Sequence, residues 1–158
     1  WVSRVVHTET FDAFAILRPT SPFRTAETIQ RAWTYFRCFS GYDSLRAVEP
    51  VRQHPGKQWR IIGRDLVPLL LQPSGTPWHS SPTQSLPKVY AQNASLEIAW
   101  TETVRRTGTI AGDRVLGFET QGYEGMDINT PEDFMLAELL VERGMVEVPK
   151  VLASARVA

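Results

Sequence analysis

Cysteine is nearly missing from this chain. Cys38 is the only one, so no intramolecular disulfide can form, and the composition suits a reducing, cytoplasmic setting. Its place at the end of an apolar helix pattern, with no base nearby, reads as packing. Neither charge is in excess: 17 Lys and Arg balance 17 Asp and Glu. Without a dominant basic face the chain is not expected to bind nucleic acid. Arg105-Arg106, the sole adjacent basic pair, reads as a solvated helix end. No apolar run approaches the roughly 20 residues of a membrane-spanning helix, and no signal-peptide pattern is present. Internal repeats are absent. His54 and His79 are not spaced as metal ligands, either to each other or to an acidic cluster.

What remains is enough for one domain with a real core, at 158 residues. Trp1 to Val6 has helical apolar spacing. Phe14 to Leu17 is a short unbroken apolar run, as in a strand buried on both faces. It stops at Arg18-Pro-Thr-Ser-Pro-Phe-Arg24, where two prolines three apart exclude helix and fix an extended loop. That loop presents Arg18, Thr20, Ser21 and Arg24. Arginine suits carboxylate and phosphate groups, although a stiff connector with solvated arginines fits the same residues.

Thr25 caps the next helix, with Ile29, Ala32, Trp33 and Phe36 in one apolar stripe and Gly41 at its end. Leu45 to Val48 is a strand closed by Pro50. Residues 51–88 are rich in proline, too long for an idle loop, and carry Trp59, Trp78 and several leucines. They read as a protruding arm that packs against a second copy, making a homodimer. Val89 to Ile98 and Val115 to Phe118 return to strand character. Thr101 begins a short helix that ends at Gly108, and Pro131 to Arg143 a longer one closed by Gly144. The tail after Pro149 is weakly patterned. This order of elements predicts an α/β fold with a mostly parallel sheet, one domain over 1–158.

The chain is organised around Glu124-Gly-Met-Asp127-Ile-Asn129-Thr130-Pro-Glu-Asp133-Phe134. It reads as the end of a buried strand, a polar turn and a helix start, with Thr130 as N-cap, Pro131 in the first turn and Asp133 completing a capping box. If the strand geometry persists, alternation puts Asp127 and Asn129 on one face and Met126 and Ile128 on the other. Two oxygen-bearing side chains at a strand's carboxyl end suit a hard cation carrying phosphate. A turn shaped by Asx side chains fits the spacing as well.

Three segments resemble those of the acylneuraminate cytidylyltransferases. Leu17-Arg-Pro-Thr-Ser-Pro-Phe-Arg-Thr25 resembles their Leu-Gln-Pro-Thr-Ser-Pro-Leu-Arg loop. Leu86-Pro-Lys-Val-Tyr-Ala-Gln-Asn-Ala94 resembles their Leu-Pro…Asn-Gly-Ala segment. Gly125-Met-Asp-Ile-Asn-Thr-Pro-Glu-Asp-Phe134 resembles their Asp-Ile-Asp-Thr-Pro-Glu-Asp-Phe segment.

The resemblance implies a Rossmann-like fold with a dimerisation arm. It also implies Mg²⁺-dependent transfer of CMP from CTP to the anomeric hydroxyl of an acidic nine-carbon sugar. Arg18, Thr20, Ser21, Arg24 and Asn93 would face substrate. Asp127 would be the catalytic, metal-binding carboxylate, with Asn129 a weaker neutral ligand. Arg18 and Ala94 depart from the family's Gln and Gly, which leaves room for another sugar or nucleotide, and Asn129 replaces the family's second Asp. The family's glycine-rich triphosphate loop has no counterpart here. The chain is therefore expected to be a piece lacking that segment and inactive alone; a non-catalytic, dimerising or ligand-binding remnant is the alternative.

Overall fold

A computed structural model describes residues 11–72 and 75–149. The expected helix at 1–6 and the tail beyond 149 lie outside them. Among the described residues two compact units emerge, one formed by those up to Glu49 and from Gln92, the other by those within Pro50–Ala91.

The larger unit is a mixed α/β arrangement. Its strands are β1 (Ala13–Ile16), β2 (Ser44–Pro50), β5 (Tyr90–Trp100) and β6 (Val115–Glu119), in the spatial order β1-β5-β2-β6. β2 and β6 pair in parallel, Ser44 opposite Val115 and Val48 opposite Glu119. β1 and β5 pair antiparallel, Ala13 opposite Trp100. β5 also runs against β2: Trp100 N donates to Asp43 O at one end (3.2 Å), and Val51 N donates to Val89 O at the other (3.0 Å). The sheet is thus mixed rather than mostly parallel. The cause is the connection: the chain leaves β2, makes its excursion and returns in the adjacent lane, with no helical crossover to reverse it.

Helix α1 (Ala26–Cys38) starts at Thr25, whose hydroxyl accepts from Thr28 N while the Thr28 hydroxyl accepts from Thr25 N. Its stripe packs Ala32 and Phe36 against Leu45, Ala47, Leu96, Ile98, Leu116 and Phe118, the alternate residues of three strands. Phe36 stacks on Trp100 with centroids 4.8 Å apart. Cys38 is exposed, not packed, because it lies off that stripe, two residues beyond Phe36.

Helix α2 (Thr101–Thr107) ends at Gly108 in a left-handed conformation. Arg106 is exposed, as expected of a solvated helix end, and pairs there with Asp43 (2.6 Å) and Asp113 (2.7 Å). Helix α3 (Pro131–Glu142) is capped by Thr130 and Asp133. It rests Ala137 and Leu140 on Phe23, Met126 and Ile128. The stretch from 124 to 129 is turn and extended loop rather than strand, since β6 stops at Glu119.

The smaller unit holds a hairpin, β3 (Trp59–Ile62) and β4 (Asp65–Pro68), turning at Gly63 with φ 65°. His54 is buried and pins the unit: its Nδ1 accepts from Gly56 N (3.0 Å) and its Nε2 meets Pro87 O (3.1 Å). Ile61, Ile62, Leu66 and Leu71 of the hairpin region are exposed. Among the described residues no helix is long and apolar enough to cross a membrane.

Candidate functional site

Alternation along β5 builds the floor. Leu96 and Ile98 point into the α1 core, so Asn93, Ser95 and Glu97 share the opposite face. Arg46 reaches that face from β2 by the same rule, between core residues Leu45 and Ala47.

The proline loop closes one side. Ser21 N donates to Arg18 O (3.3 Å). Arg24 Nη1 donates to Arg18 O (3.0 Å) and to Ser95 O (2.5 Å), tying the loop to β5. Arg18 Nη2 donates to Glu97 Oε1 (2.8 Å), while Glu97 Oε2 holds the Arg46 guanidinium. Burial lowers the pKa of Arg24; burial and then the neighbouring Arg18 charge lower that of Arg46. Guanidinium is basic enough that both remain cations.

The 120–130 loop closes the other side. Ile128 N donates to Thr20 O (2.9 Å), joining it to the proline loop. Met126 and Ile128 face the apolar cluster under α3, and Asp127 and Asn129 meet away from it, Asn129 Nδ2 donating to Asp127 Oδ2 (2.8 Å). Asp133 Oδ2 accepts from Asn129 N (3.0 Å) and Thr130 N (2.9 Å), which lowers the Asp133 pKa and fixes the turn to the start of α3. The faces therefore alternate as expected, although no strand ladder enforces them.

Asn93 is held from both ends, its Nδ2 donating to Thr120 Oγ1 (3.0 Å) and its Oδ1 accepting from Ser95 N (3.2 Å). Asn93, Thr120 and Glu49 converge on Gly125, and a Cβ there would collide with all three side chains. This backbone position has an ordinary φ, so glycine is needed for space, not conformation.

Three buried polar atoms have no hydrogen-bond partner among the described residues: Ser21 Oγ, Ser95 Oγ and Asp127 Oδ1. Unsatisfied buried oxygens are uncommon in folded proteins and call for an explanation. Of the three, Asp127 Oδ1 is the only carboxylate oxygen, the donor type that Mg²⁺ takes. Asn129 is the weaker ligand type, since it could offer only a neutral amide oxygen while its Nδ2 donates to Asp127. Among the described residues no group of three or more His, Cys, Asp or Glu forms a metal cage.

Hydrogen bonds thus link the three segments that carry Arg18, Thr20, Ser21, Arg24, Asn93, Asp127 and Asn129. Arg24 ties the loop to β5 through Nη1, and Thr20 accepts from Ile128 N through its carbonyl. Glu97, Arg46, Glu49 and Thr120 were not foreseen. The available signal was a lone charge inside an apolar strand, Arg46 in one and Glu97 in the other, of opposite sign. A separate apolar cavity of about 340 Å³ lies against α3, lined by Phe23, Ile128, Phe134 and Val141 among others, on the Met126 and Ile128 side of the loop. The sequence matches no family model, and no curated protein matches it.

Proposed function

We propose that the chain forms the sugar- and metal-side part of a nucleotidyltransferase. In that reaction the CMP moiety of CTP passes to the anomeric hydroxyl of an acidic sugar of the sialic-acid class, with release of pyrophosphate. The observation that carries this reading is the meeting of three segments distant in sequence. Ile128 N reaches Thr20 O, and Arg24 reaches Ser95 O beside Asn93. Each of these regions contributes one buried oxygen without a partner.

In this reading Asp127 holds Mg²⁺ through Oδ1, and Asn129 and the α3 cap orient the carboxylate. Mg²⁺, when bound, neutralises phosphate charge and aligns the leaving pyrophosphate. Ser21 and Asn93 supply neutral hydrogen bonds to the sugar, and the fixed proline loop keeps them in place. Positioning of this kind supplies much of the acceleration in phosphoryl-type transfer. No residue of this chain is assigned to the triphosphate. The exposed Ile61, Ile62 and Leu66 support a homodimer made through the hairpin.

A coupled pyrophosphate assay on the complete gene product, with CTP, Mg²⁺ and N-acetylneuraminate, tests the reaction. Release that disappears in Asp127→Ala is expected. No release from the unaltered protein would overturn the cytidylyltransferase reading, and sugar binding without release would favour a ligand-binding, non-catalytic protein.

A further inference from the structure

Arg46 and Glu97 lie outside the three resembling segments, yet Glu97, itself held by Arg46, pairs with the first arginine of the proline loop. Glu97 is buried, 5% exposed, with one carboxylate oxygen on Arg18 and the other on Arg46. Arg24 joins the same group through neutral acceptors, the carbonyls of Arg18 and Ser95. Two guanidinium groups therefore share one carboxylate, with a third tied beside them through carbonyls, and the linked set carries excess positive charge. Two buried hydroxyls on the same segments, Ser21 Oγ and Ser95 Oγ, have no partner among the described residues.

A purely structural triad accounts poorly for this. Buried ion pairs seldom stabilise a fold more than apolar residues of the same shape, and an unbalanced set does worse. Arg18 is also the member that reaches solvent, with 53% of its side chain exposed. It spends Nη2 on Glu97, and a guanidinium has five N–H donors in a fixed fork.

We propose that Glu97 is a positioning residue that aims Arg18, with Arg24 beside it, at an oxyanion of the ligand, either a sugar carboxylate or a phosphate. The location of the ligand rests on the function proposed above; the seat itself does not depend on which oxyanion occupies it. Glu97 then works against simple electrostatics. Its own charge opposes an anion, and its benefit is orientation of the fork.

That opposition gives the test its sign. The 158-residue chain is titrated calorimetrically with N-acetylneuraminate, its methyl ester and inorganic phosphate. Arg18→Gln should weaken binding of the favoured anion about tenfold or more, the scale of a lost charge-assisted contact. Glu97→Gln should weaken it too, although the variant is more positive. Binding that stays equal or tightens in a folded Glu97→Gln protein would overturn the proposal. Should that variant fail to fold, Arg18→Gln alone decides, since its side chain is half exposed; unchanged affinity there is equally fatal. Acid bound in preference to ester identifies a carboxylate. Phosphate that binds through Arg18, with no sugar bound, keeps the seat and removes the sialic-type sugar. Sugar binding indifferent to Arg18 removes the seat and leaves the proposed reaction standing. If neither anion binds, the seat is refuted, while the reaction is still judged by pyrophosphate release from the gene product.

Discussion

The backbone N–H of Ile128 donates to the carbonyl of Thr20 across 2.9 Å, and this one bond joins loops more than a hundred residues apart in the chain. On one side of it Met126 and Ile128 bury themselves under α3. On the other, Asp127 is left with one oxygen on Asn129 and one without a partner. The apolar half of the loop fixes where the polar half stands.

Asn129→Asp replaces a donor to Asp127 with a second carboxylate. Without metal the two charges repel at a separation where the cost is about 1 kcal/mol in a solvated setting. A melting temperature lowered by about 2–4 °C is expected, recovered by millimolar Mg²⁺. Thermal unfolding with and without Mg²⁺ checks this, and a variant indifferent to the ion would argue that Asp127 binds none.

Gly125→Ala places a methyl group where Asn93, Glu49 and Thr120 converge. Overpacking of this kind costs about 1–3 kcal/mol. The helices should persist by circular dichroism while ligand affinity drops, because Asn93 has to move. Wild-type affinity in Gly125→Ala would mean that Asn93 plays no part in binding.

Acid should loosen the 120–125 turn through Glu124. Burial alone would raise its pKa. Bonds from Arg31 (2.9 and 3.1 Å), Gln121 N (2.8 Å) and Thr28 (2.7 Å) outweigh that and lower it below the ordinary 4.5. A depressed carboxylate stabilises the fold above its unfolded value, and that contribution is lost as pH falls through the folded one. Denaturant midpoints from pH 7 down to 3 should therefore fall below about 4.5, the ordinary value. The fall should be shallower in Glu124→Gln; identical slopes would remove Glu124 from the acid transition.

Ile61→Asp together with Leu66→Asp puts charge on two exposed apolar positions of the hairpin. Sedimentation at micromolar concentration should give a dimer for the natural chain and a monomer for the double variant. A natural chain that is already monomeric would dispose of the arm as a dimer contact.

Local chemistry was legible in the sequence. Thr25, Thr130 and Asp133 announce their helix starts because a cap depends on residues three apart. The stripe from Ile29 to Phe36 announces its buried face for a similar reason. The direction of β5 was not legible, since pairing across an excursion leaves no mark in the strand itself. Residue type alone does not place Cys38; its helical angle, off the buried stripe, does. The site residues were named from three segments, but Arg18 could not be tied to Glu97, 79 positions away, by any local pattern. The lone opposite charges of Arg46 and Glu97, each inside an apolar strand, are the only sequence mark of that pair.

The excursion also governs how fast this molecule can assemble. β2 ends at Pro50 and β5 begins at Tyr90, so pairing them closes a loop of about forty residues. Exchanging it for a turn of about four would reduce the closure entropy by about 2 kcal/mol, a gain felt on the way up the folding barrier if that pairing is part of the nucleus. Long-range closure makes the sheet slow to nucleate. A chain shortened in this way should collapse sooner onto the same four strands.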